Sequence, residues 1–177
     1  MRRAAERPGV LVAAGLDPSG GAGLLADVGA VLAAGGRPVG VATGLTAQGR
    51  RFAVSAVAGG MLGKQLDAVL QDGRPAAVKL GMVPDRRTLG LLWERVARSA
   101  GTLVVDPVVR TSRGQRLSTL LPGDYRRLAG PRVWIVPNVP ELGWLVGRAP
   151  PRSVEEVKVL AASLLADGFG AVSSFSP

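Results

Sequence analysis

The stretch LDPSGGAGLLADVGAVLAAGG, residues 16–36, joins an apolar run to a helical pattern through a glycine-rich loop. The apolar run before it, residues 10–16, is interrupted by Asp17 and Pro18 and therefore predicts a short buried strand. A strand, a glycine loop and a helix in this order open a parallel α/β sheet. Because glycine lets a ligand approach the backbone closely, this loop is the first candidate for a binding site.

Further along the chain, short apolar runs alternate with helical patterns. The runs VLVAAG, TLVVD and VWIVP are continuous, which is typical of strands buried on both faces of a sheet. We therefore predict an α/β fold with a parallel sheet and helices on both faces. The predicted strands cover residues 9–14, 38–45, 76–82, 102–106, 132–137 and 169–173, and the predicted helices cover 22–34, 60–70, 85–98, 120–128, 140–146 and 154–166. Asp85 and Ser153 occupy N-cap positions, and Glu156 follows Ser153 at the spacing of a capping box.

The composition narrows the chemistry that the chain can perform. The 177 residues are enough for one domain with a sizeable core. There is no cysteine, which excludes disulfides and thiolate catalysis and favours a cytoplasmic location. There is also no histidine, so the commonest general base and zinc ligand is missing. Proton transfer would therefore depend on carboxylates, lysine or positioned water.

The charge of the chain does not indicate a nucleic-acid or membrane partner. The formal net charge is +9, but the 22 cationic residues are spread along the sequence and aromatic residues make up only 4%. Clustered cations and stacking rings are what nucleic-acid binding requires. No apolar run approaches the roughly 20 residues of a membrane-spanning helix, and the first apolar run is better explained as a strand than as a signal peptide. We expect neither partner.

Polar side chains lie at or just after the carboxyl ends of five of the predicted strands. In open parallel sheets, ligands gather at the carboxyl ends of the strands, which meet at one edge. These groups are therefore expected to lie near one another. They are Asp17, Thr46, Gln48, Lys79, Asp106, Asn138 and Glu141.

The sequence of the glycine loop allows more than one interpretation of its function. Residues 21–26, GAGLLA, fit the dinucleotide pattern G-x-G-x-x-G/A, but that site needs an acidic residue about 20 positions later. No Asp or Glu occurs between Val28 and Leu66, and the Gly-Lys-Ser/Thr of a phosphate loop is absent. Two readings stay open. Asp27 faces a small ligand above the first strand, or the loop is a tight turn followed by an exposed helical aspartate.

Six motifs carry a resemblance to a known family. AAGLDPSGGAGLLADV, GLTAQG, QLDAVL, VKLGMV, VVDPVV and PNVPEL occur in this order over about residues 9–172. In this respect the chain resembles the hydroxymethylpyrimidine/phosphomethylpyrimidine kinases of thiamine biosynthesis, which belong to the ribokinase-like superfamily. The resemblance implies a ribokinase-like α/β/α fold. It also implies ATP- and Mg2+-dependent phosphorylation of 4-amino-5-hydroxymethyl-2-methylpyrimidine and of its monophosphate.

The resemblance also implies roles for nine residues. Asp27 and Gln48 would fix the polar groups of the pyrimidine, and a glutamine amide suits this because it offers both a donor and an acceptor. Carboxylates suit magnesium, which prefers hard oxygen ligands. The implied substrate-binding residues are Gly15, Gly21, Asp27, Gln48, Met82 and Val108, the implied magnesium ligands are Asp106 and Glu141, and Asn138 would lie beside the phosphates. A strand-end turn and a helix N-cap are the structural alternatives for the last three, and Lys79 is expected to support its strand end and not to perform catalysis.

Two departures from the family limit these expectations. The family continues beyond the end of this sequence with the part that completes the ATP site, so residues 1–177 are expected to form a single but incomplete domain with no catalytic residue of its own. Ser112, Arg113, Gly114 and Gln115 replace a Lys-Ser-Gly-Asp-like segment. A catalytically impaired homologue that only binds the pyrimidine is therefore the alternative to a kinase. A homodimer or a complementing C-terminal fragment is the expected protein partner.

Overall fold

The computed structural model describes residues 7–71, 73–98 and 101–175. In these residues, seven strands form one sheet in the order β3-β2-β1-β4-β5-β6-β7. The strands are β1 (Gly9–Leu16), β2 (Arg37–Gln48), β3 (Phe52–Ala56), β4 (Ala77–Leu80), β5 (Thr102–Val105), β6 (Val133–Ile135) and β7 (Ala171–Val172). The helices are α1 (Gly23–Ala33), α2 (Gly59–Leu70), α3 (Arg86–Val96), α4 (Pro122–Arg126), α5 (Val139–Val146) and α6 (Val154–Ala166). In the described residues, no helix is long and apolar enough to cross a membrane.

The six predicted strands and six predicted helices are confirmed, with shifts at their ends. The sheet is not wholly parallel, because β3 was not predicted and pairs antiparallel with the end of β2, with Gln48 opposite Phe52. All other neighbouring strands are parallel. The sequence of β3 gives a weak signal, since this edge strand is largely exposed and is not a continuous apolar run.

The core is built from the central strands and the helices that cover them. The middle of β1 is fully buried from Leu11 to Ala14, and α1 packs against β1 and β2. Leu66 of α2 and Leu92 of α3 are both fully buried, in two helices that contact each other. Burying a leucine side chain contributes about 2 kcal/mol to folding. This packing fixes the strand ends relative to one another.

A bulge in β2 determines which side chains reach the edge of the sheet. Ala14 of β1 pairs with Ala42, but Gly15 pairs with Gly44, so Thr43 is an extra residue in β2. The Thr43 hydroxyl donates a hydrogen bond of 2.6 Å to the Met82 carbonyl. Because side chains alternate along a strand, one extra residue moves everything after it to the other face. The bulge therefore decides the face on which Thr46 and Gln48 lie.

Both predicted N-caps are present. The Asp85 carboxylate accepts a hydrogen bond of 2.8 Å from the Thr88 amide, and the Ser153 hydroxyl accepts one of 3.1 Å from the Glu156 amide. The return bond of the expected capping box differs, because the Glu156 carboxylate accepts from the amide of Arg152 and not from that of Ser153. Both caps satisfy amides that the helix itself leaves unpaired.

Asp124 links the start of α4 to α3. Its buried carboxylate accepts hydrogen bonds from the Leu121 amide at 2.9 Å and from the Arg86 guanidinium at 2.8 Å. Burial alone would raise the pKa of Asp124, but these two donors outweigh it and hold the pKa below its usual range. A depressed pKa adds stability that is fully present above about pH 4 and is lost as the pH falls through the folded-state pKa.

We expect Asp124→Ala to lower the free energy of unfolding at pH 7 by about 1–2 kcal/mol, the usual cost of losing a helix cap and a charged hydrogen bond. Urea denaturation at pH 7 and pH 3 measures this, and the variant should lose less stability than the wild type on acidification. Asp67→Ala is the matched control, since that exposed carboxylate pairs with Arg95 on the surface. Equal effects of the two substitutions would contradict the role of Asp124.

Candidate active site

A pocket of about 410 Å3 lies where β1, β2, β4 and β5 end. The loop before α1 closes one side of it. All six residues that were predicted to bind substrate line this pocket, together with one of the two predicted magnesium ligands. These residues are Gly15, Gly21, Asp27, Gln48, Met82, Val108 and Asp106. The side chains are therefore close together, as the strand-end argument expects, while their binding roles stay predictions.

Lys79 links two carboxylates at the floor of the pocket. Its ammonium nitrogen is 2.5 Å from Asp27 Oδ1 and 3.2 Å from Asp106 Oδ2. The three side chains are only 17–26% exposed. Burial lowers the pKa of Lys79, but the two carboxylates raise it by more, so its pKa lies above the ordinary value. Burial raises the pKa of Asp106, and the neighbouring ammonium offsets only part of that rise.

The second oxygen of Asp27 has no partner. Asp27 Oδ2 is buried and accepts no hydrogen bond within the protein. A Cβ atom at Gly81 would lie 3.5 Å from this oxygen and 2.9 Å from the Cβ of Ala14, so residue 81 packs closely here and a side chain at this position would crowd Ala14. A buried acceptor without a donor costs free energy. A ligand that donates a hydrogen bond at this point would remove that cost.

Gln48 faces the same pocket from the end of β2. Its side-chain nitrogen donates a hydrogen bond of 3.2 Å to the Thr46 hydroxyl, which donates in turn to the Leu16 carbonyl at 3.2 Å. These bonds orient the amide. They use one of its two hydrogens and leave the second hydrogen and the carbonyl oxygen for a ligand. Met82 and Val108 supply apolar surface in the same pocket.

Gly23 determines how the loop meets the first strand. Its φ angle is +63°, and a Cβ at this position would lie 2.3 Å from the Gly15 carbonyl oxygen. Gly23 also forms a bridge with Leu16, so the loop folds back onto the end of β1 before α1 begins. Only glycine adopts this conformation at so close an approach. The turn places Asp27, one turn into the helix, over the strand ends.

A second pocket, of about 490 Å3, lies beside the start of α5 and contains the other two predicted residues, Asn138 and Glu141. They form a capping box: the Asn138 side chain accepts from the Glu141 amide at 2.9 Å, and the Glu141 carboxylate accepts from the Asn138 amide at 3.0 Å. Burial raises the pKa of Glu141 to about 7; the Asn138 amide lowers it and the Asp106 carboxylate adds to the rise. Both residues thus have a structural role, and Asp106 is near enough to act on Glu141.

The loop that replaces the Lys-Ser-Gly-Asp-like segment closes one side of the second pocket. It is a tight hairpin in which the Thr111 amide donates to the Gln115 carbonyl at 2.9 Å and the Gly114 amide donates to the Thr111 carbonyl at 2.8 Å. The Arg110 guanidinium donates to the Gly114 carbonyl at 2.9 Å. The guanidinium thus supplies a cation at the rim of this pocket.

Comparison with known proteins connects this geometry to a family. The family model for phosphomethylpyrimidine kinase matches residues 17–173. The chain belongs to the phosphomethylpyrimidine kinase family. The hydroxymethylpyrimidine/phosphomethylpyrimidine kinase of Escherichia coli is 34% identical over 172 residues, which are 94% of this chain and 65% of that protein. A thiamine biosynthesis multifunctional protein of Corynebacterium glutamicum is 36% identical over 153 residues, 84% of this chain and 20% of that protein.

Solved structures of kinases share the fold. The phosphomethylpyrimidine kinase of Clostridium difficile superposes with a TM-score of 0.81 at 32% identity, over 96% of this chain and 74% of that one. A pyridoxal kinase from Staphylococcus aureus in complex with AMP-PCP superposes with a TM-score of 0.80 at 27% identity, over 92% of this chain and 60% of that one. The fold is therefore ribokinase-like. The chain spans less than two thirds of the length of the curated relatives that it matches.

Asp106, which lines the first pocket, and Glu141, which lines the second, have the chemistry of magnesium ligands. The described residues contain no group of three or more His, Cys, Asp or Glu that could enclose a metal. Magnesium does not need such a cage, since it is commonly held by one or two carboxylates while it keeps water and phosphate ligands. Asp106 and Glu141 are two partly buried carboxylates, and the charge of Asp106 contributes to the raised pKa of Glu141. They supply the number and type of donors that such an ion uses.

Some residues of the first pocket were not predicted. Leu117 and Phe175 also line it, and Phe175 lies far along the chain from the other pocket residues. Phe175 reaches the pocket because residues 173–175 run beside the end of β6, where the Val139 amide donates to the Phe175 carbonyl at 3.0 Å. Leu117 belongs to no strand end or recognisable motif, so the sequence carried no signal for it, whereas Phe175 lies two residues after the predicted strand 169–173. Gly81 follows Lys79 at a predicted strand end and could have been identified.

Proposed function

We propose that the first pocket binds 4-amino-5-hydroxymethyl-2-methylpyrimidine and that the chain serves its ATP-dependent phosphorylation, and then that of the monophosphate, in thiamine biosynthesis. One observation carries the proposal: Asp27 and Gln48, from a helix and a strand, share one hollow that Met82 and Val108 wall with apolar surface. A flat ring with polar substituents at its edge matches these surroundings. The pocket volume of about 410 Å3 lies in the range typical of small-molecule sites.

The chemistry that follows is phosphoryl transfer. The hydroxymethyl oxygen would form a bond to the terminal phosphorus of ATP as the bond to ADP breaks, and the hydroxyl proton would pass to solvent. Such transfers are catalysed almost wholly by positioning and electrostatic stabilisation. Asp27 and Gln48 would orient the ring and the apolar walls would exclude water. Asp106 and Glu141 would hold a magnesium ion, which neutralises phosphate charge when bound.

Family membership favours the kinase over the alternative of a homologue that only binds the pyrimidine. The single-function kinase of Escherichia coli aligns with this chain over 65% of its own length. We therefore propose the activity for this chain together with a counterpart of the remaining length, in the same polypeptide or in a complementing fragment. Residues 1–177 would then be one part of a ribokinase-like domain, the part that carries the substrate pocket. Asn138 would lie on the phosphate side of this pocket. Self-association into a homodimer is compatible with this arrangement.

We expect Gln48→Ala to weaken binding of the pyrimidine alcohol roughly tenfold, because it removes hydrogen bonds worth about 1–1.5 kcal/mol. Isothermal titration calorimetry of the purified chain measures this. Gln71→Ala is the matched control, since Gln71 is exposed at the end of α2 and does not line the pocket. The control should bind as the wild type does.

The proposal would be contradicted if the wild type did not bind the pyrimidine alcohol. It would also be contradicted if the Gln48→Ala variant bound the alcohol as tightly as the wild type does. The kinase part needs a second assay, in which ATP and Mg2+ are added and the monophosphate is measured. Monophosphate formation supports the kinase. Binding without turnover, when the counterpart segment of a relative is supplied, supports the alternative that only binds.

A further inference from the structure

Lys79 is the charged residue of the first pocket to which sequence analysis gave only a supporting role. It lies on β4, between Asp27 of α1 and Asp106 at the end of β5. Its ammonium is within 3.2 Å of one oxygen of each carboxylate. These two contacts join three elements that are distant in the sequence, and they leave one carboxylate oxygen, Asp27 Oδ2, buried without a partner.

We propose that Lys79 is a positioning residue that fixes Asp27 as a hydrogen-bond acceptor, so that the pocket selects a ring carrying an exocyclic amino group over one carrying a carbonyl at the same position. The inference rests on the proposed function, namely that a pyrimidine occupies this pocket. It goes further, because it assigns the selectivity to the ion pair of Asp27 with Lys79 and predicts which analogues are rejected.

The geometry of the ion pair carries the argument. The ammonium takes Asp27 Oδ1 and thereby sets the rotation of the carboxylate. An ionised carboxylate has no hydrogen to donate, so Oδ2 can only accept. Asp27 and Gly81 both line the pocket, so a ligand would approach this carboxylate beside a residue that has no side chain. An amino group there satisfies the orphaned oxygen, whereas a carbonyl would place two acceptors against each other in a buried site.

Gln48 cannot supply this selectivity. Its amide is oriented by the bond to the Thr46 hydroxyl, but it still presents both a carbonyl oxygen and an N–H to the pocket. A group that offers both kinds of partner accommodates an amino or a carbonyl substituent. Asp106 forms an ion pair with Lys79 through its Oδ2 atom. Asp27 is therefore the group of this pocket whose free oxygen is buried and held in one orientation.

The test compares two ligands that differ at one position: 4-amino-5-hydroxymethyl-2-methylpyrimidine and its 4-oxo analogue. Calorimetry gives the ratio of their affinities for the wild type, Lys79→Met, Lys79→Arg and Asp27→Asn. The wild type should prefer the amino compound by about 100-fold, the order expected when a buried polar group is left unpaired. Lys79→Met should reduce the ratio about tenfold, and Lys79→Arg should bring it back to within about threefold of the wild type. Asp27→Asn should bring the ratio close to one, because an amide can also donate.

The melting temperature of each variant shows that it is folded, and the near-isosteric Asp27→Asn keeps the test valid if Lys79→Met does not fold. Suppose that the wild type binds the amino compound and that Gln48→Ala weakens this binding as described above. If the ratio of affinities for the amino and oxo compounds is then the same in Lys79→Met and Asp27→Asn as in the wild type, this inference alone would be overturned. A wild type that binds neither compound would overturn it together with the proposed function. A uniform loss of affinity for both ligands in Lys79→Met would indicate a merely structural lysine and would also overturn it.

Discussion

Alanine in place of Gly23 is expected to destabilise the chain by about 2–4 kcal/mol, the combined order of a strained positive φ and an overpacked contact, and to abolish pyrimidine binding. The added Cβ would lie 2.3 Å from the Gly15 carbonyl oxygen, so it would have to displace one of the two backbone segments. Because the turn sets the start of α1, the displacement would move Asp27 away from Lys79 and the pocket.

Chemical denaturation measures the loss of stability and calorimetry measures the loss of binding. Gly29→Ala in the same helix is the matched control, since a Cβ there meets nothing within 4 Å. Alanine in the middle of a helix should stabilise that variant by up to about 1 kcal/mol. If Gly23→Ala were as stable as the wild type, the close packing of the loop on β1 would be contradicted.

Removal of the Asp27 carboxylate is the second large effect. Asp27→Ala is expected to weaken binding of the pyrimidine alcohol roughly 30- to 150-fold, because a hydrogen bond to a charged group is worth about 2–3 kcal/mol. The chain should still fold, since Lys79 keeps its ion pair with Asp106. Calorimetry measures the affinity, and the melting temperature reports on the fold.

Asp67→Ala serves as the control for Asp27→Ala as well. It also removes a helical carboxylate from an ion pair, but that pair, with Arg95, lies on the surface away from the pocket. Its affinity for the pyrimidine should equal that of the wild type. An Asp27→Ala variant that binds within about threefold of the wild type would show that the carboxylate does not contact the ligand.

The parts of the fold that the sequence predicts are those set by local patterns. The continuous apolar run of β1 and the period of α6 are local, and the predicted bounds of α6 agree with the structure. The edge strand β3 was missed, since residues 52–56 pair with β2 across a short turn and are largely exposed. An edge strand buries too little apolar surface to leave a clear pattern.

The sequence predicts which residues form the site better than it predicts how these residues contact one another. The strand-end argument brings Gln48, Lys79 and Asp106 to one edge of the sheet, and the resemblance favours the ligand-facing interpretation of Asp27. The ion pairs of Lys79 could not be predicted, because they depend on the order of the strands, in which β4 lies between β1 and β5. The bulge at Thr43, which sets the face of Gln48, likewise has no local signal.

A crystal structure of the chain with the pyrimidine alcohol bound tests the central claim most directly. The account predicts the ring in the first pocket, in contact with Met82 and Val108, with its amino nitrogen within about 3.2 Å of Asp27 Oδ2 and a ring or amino nitrogen at the same distance from the Gln48 amide. A ring bound in the second pocket, or one in the first pocket that contacts neither Asp27 nor Gln48, would contradict it.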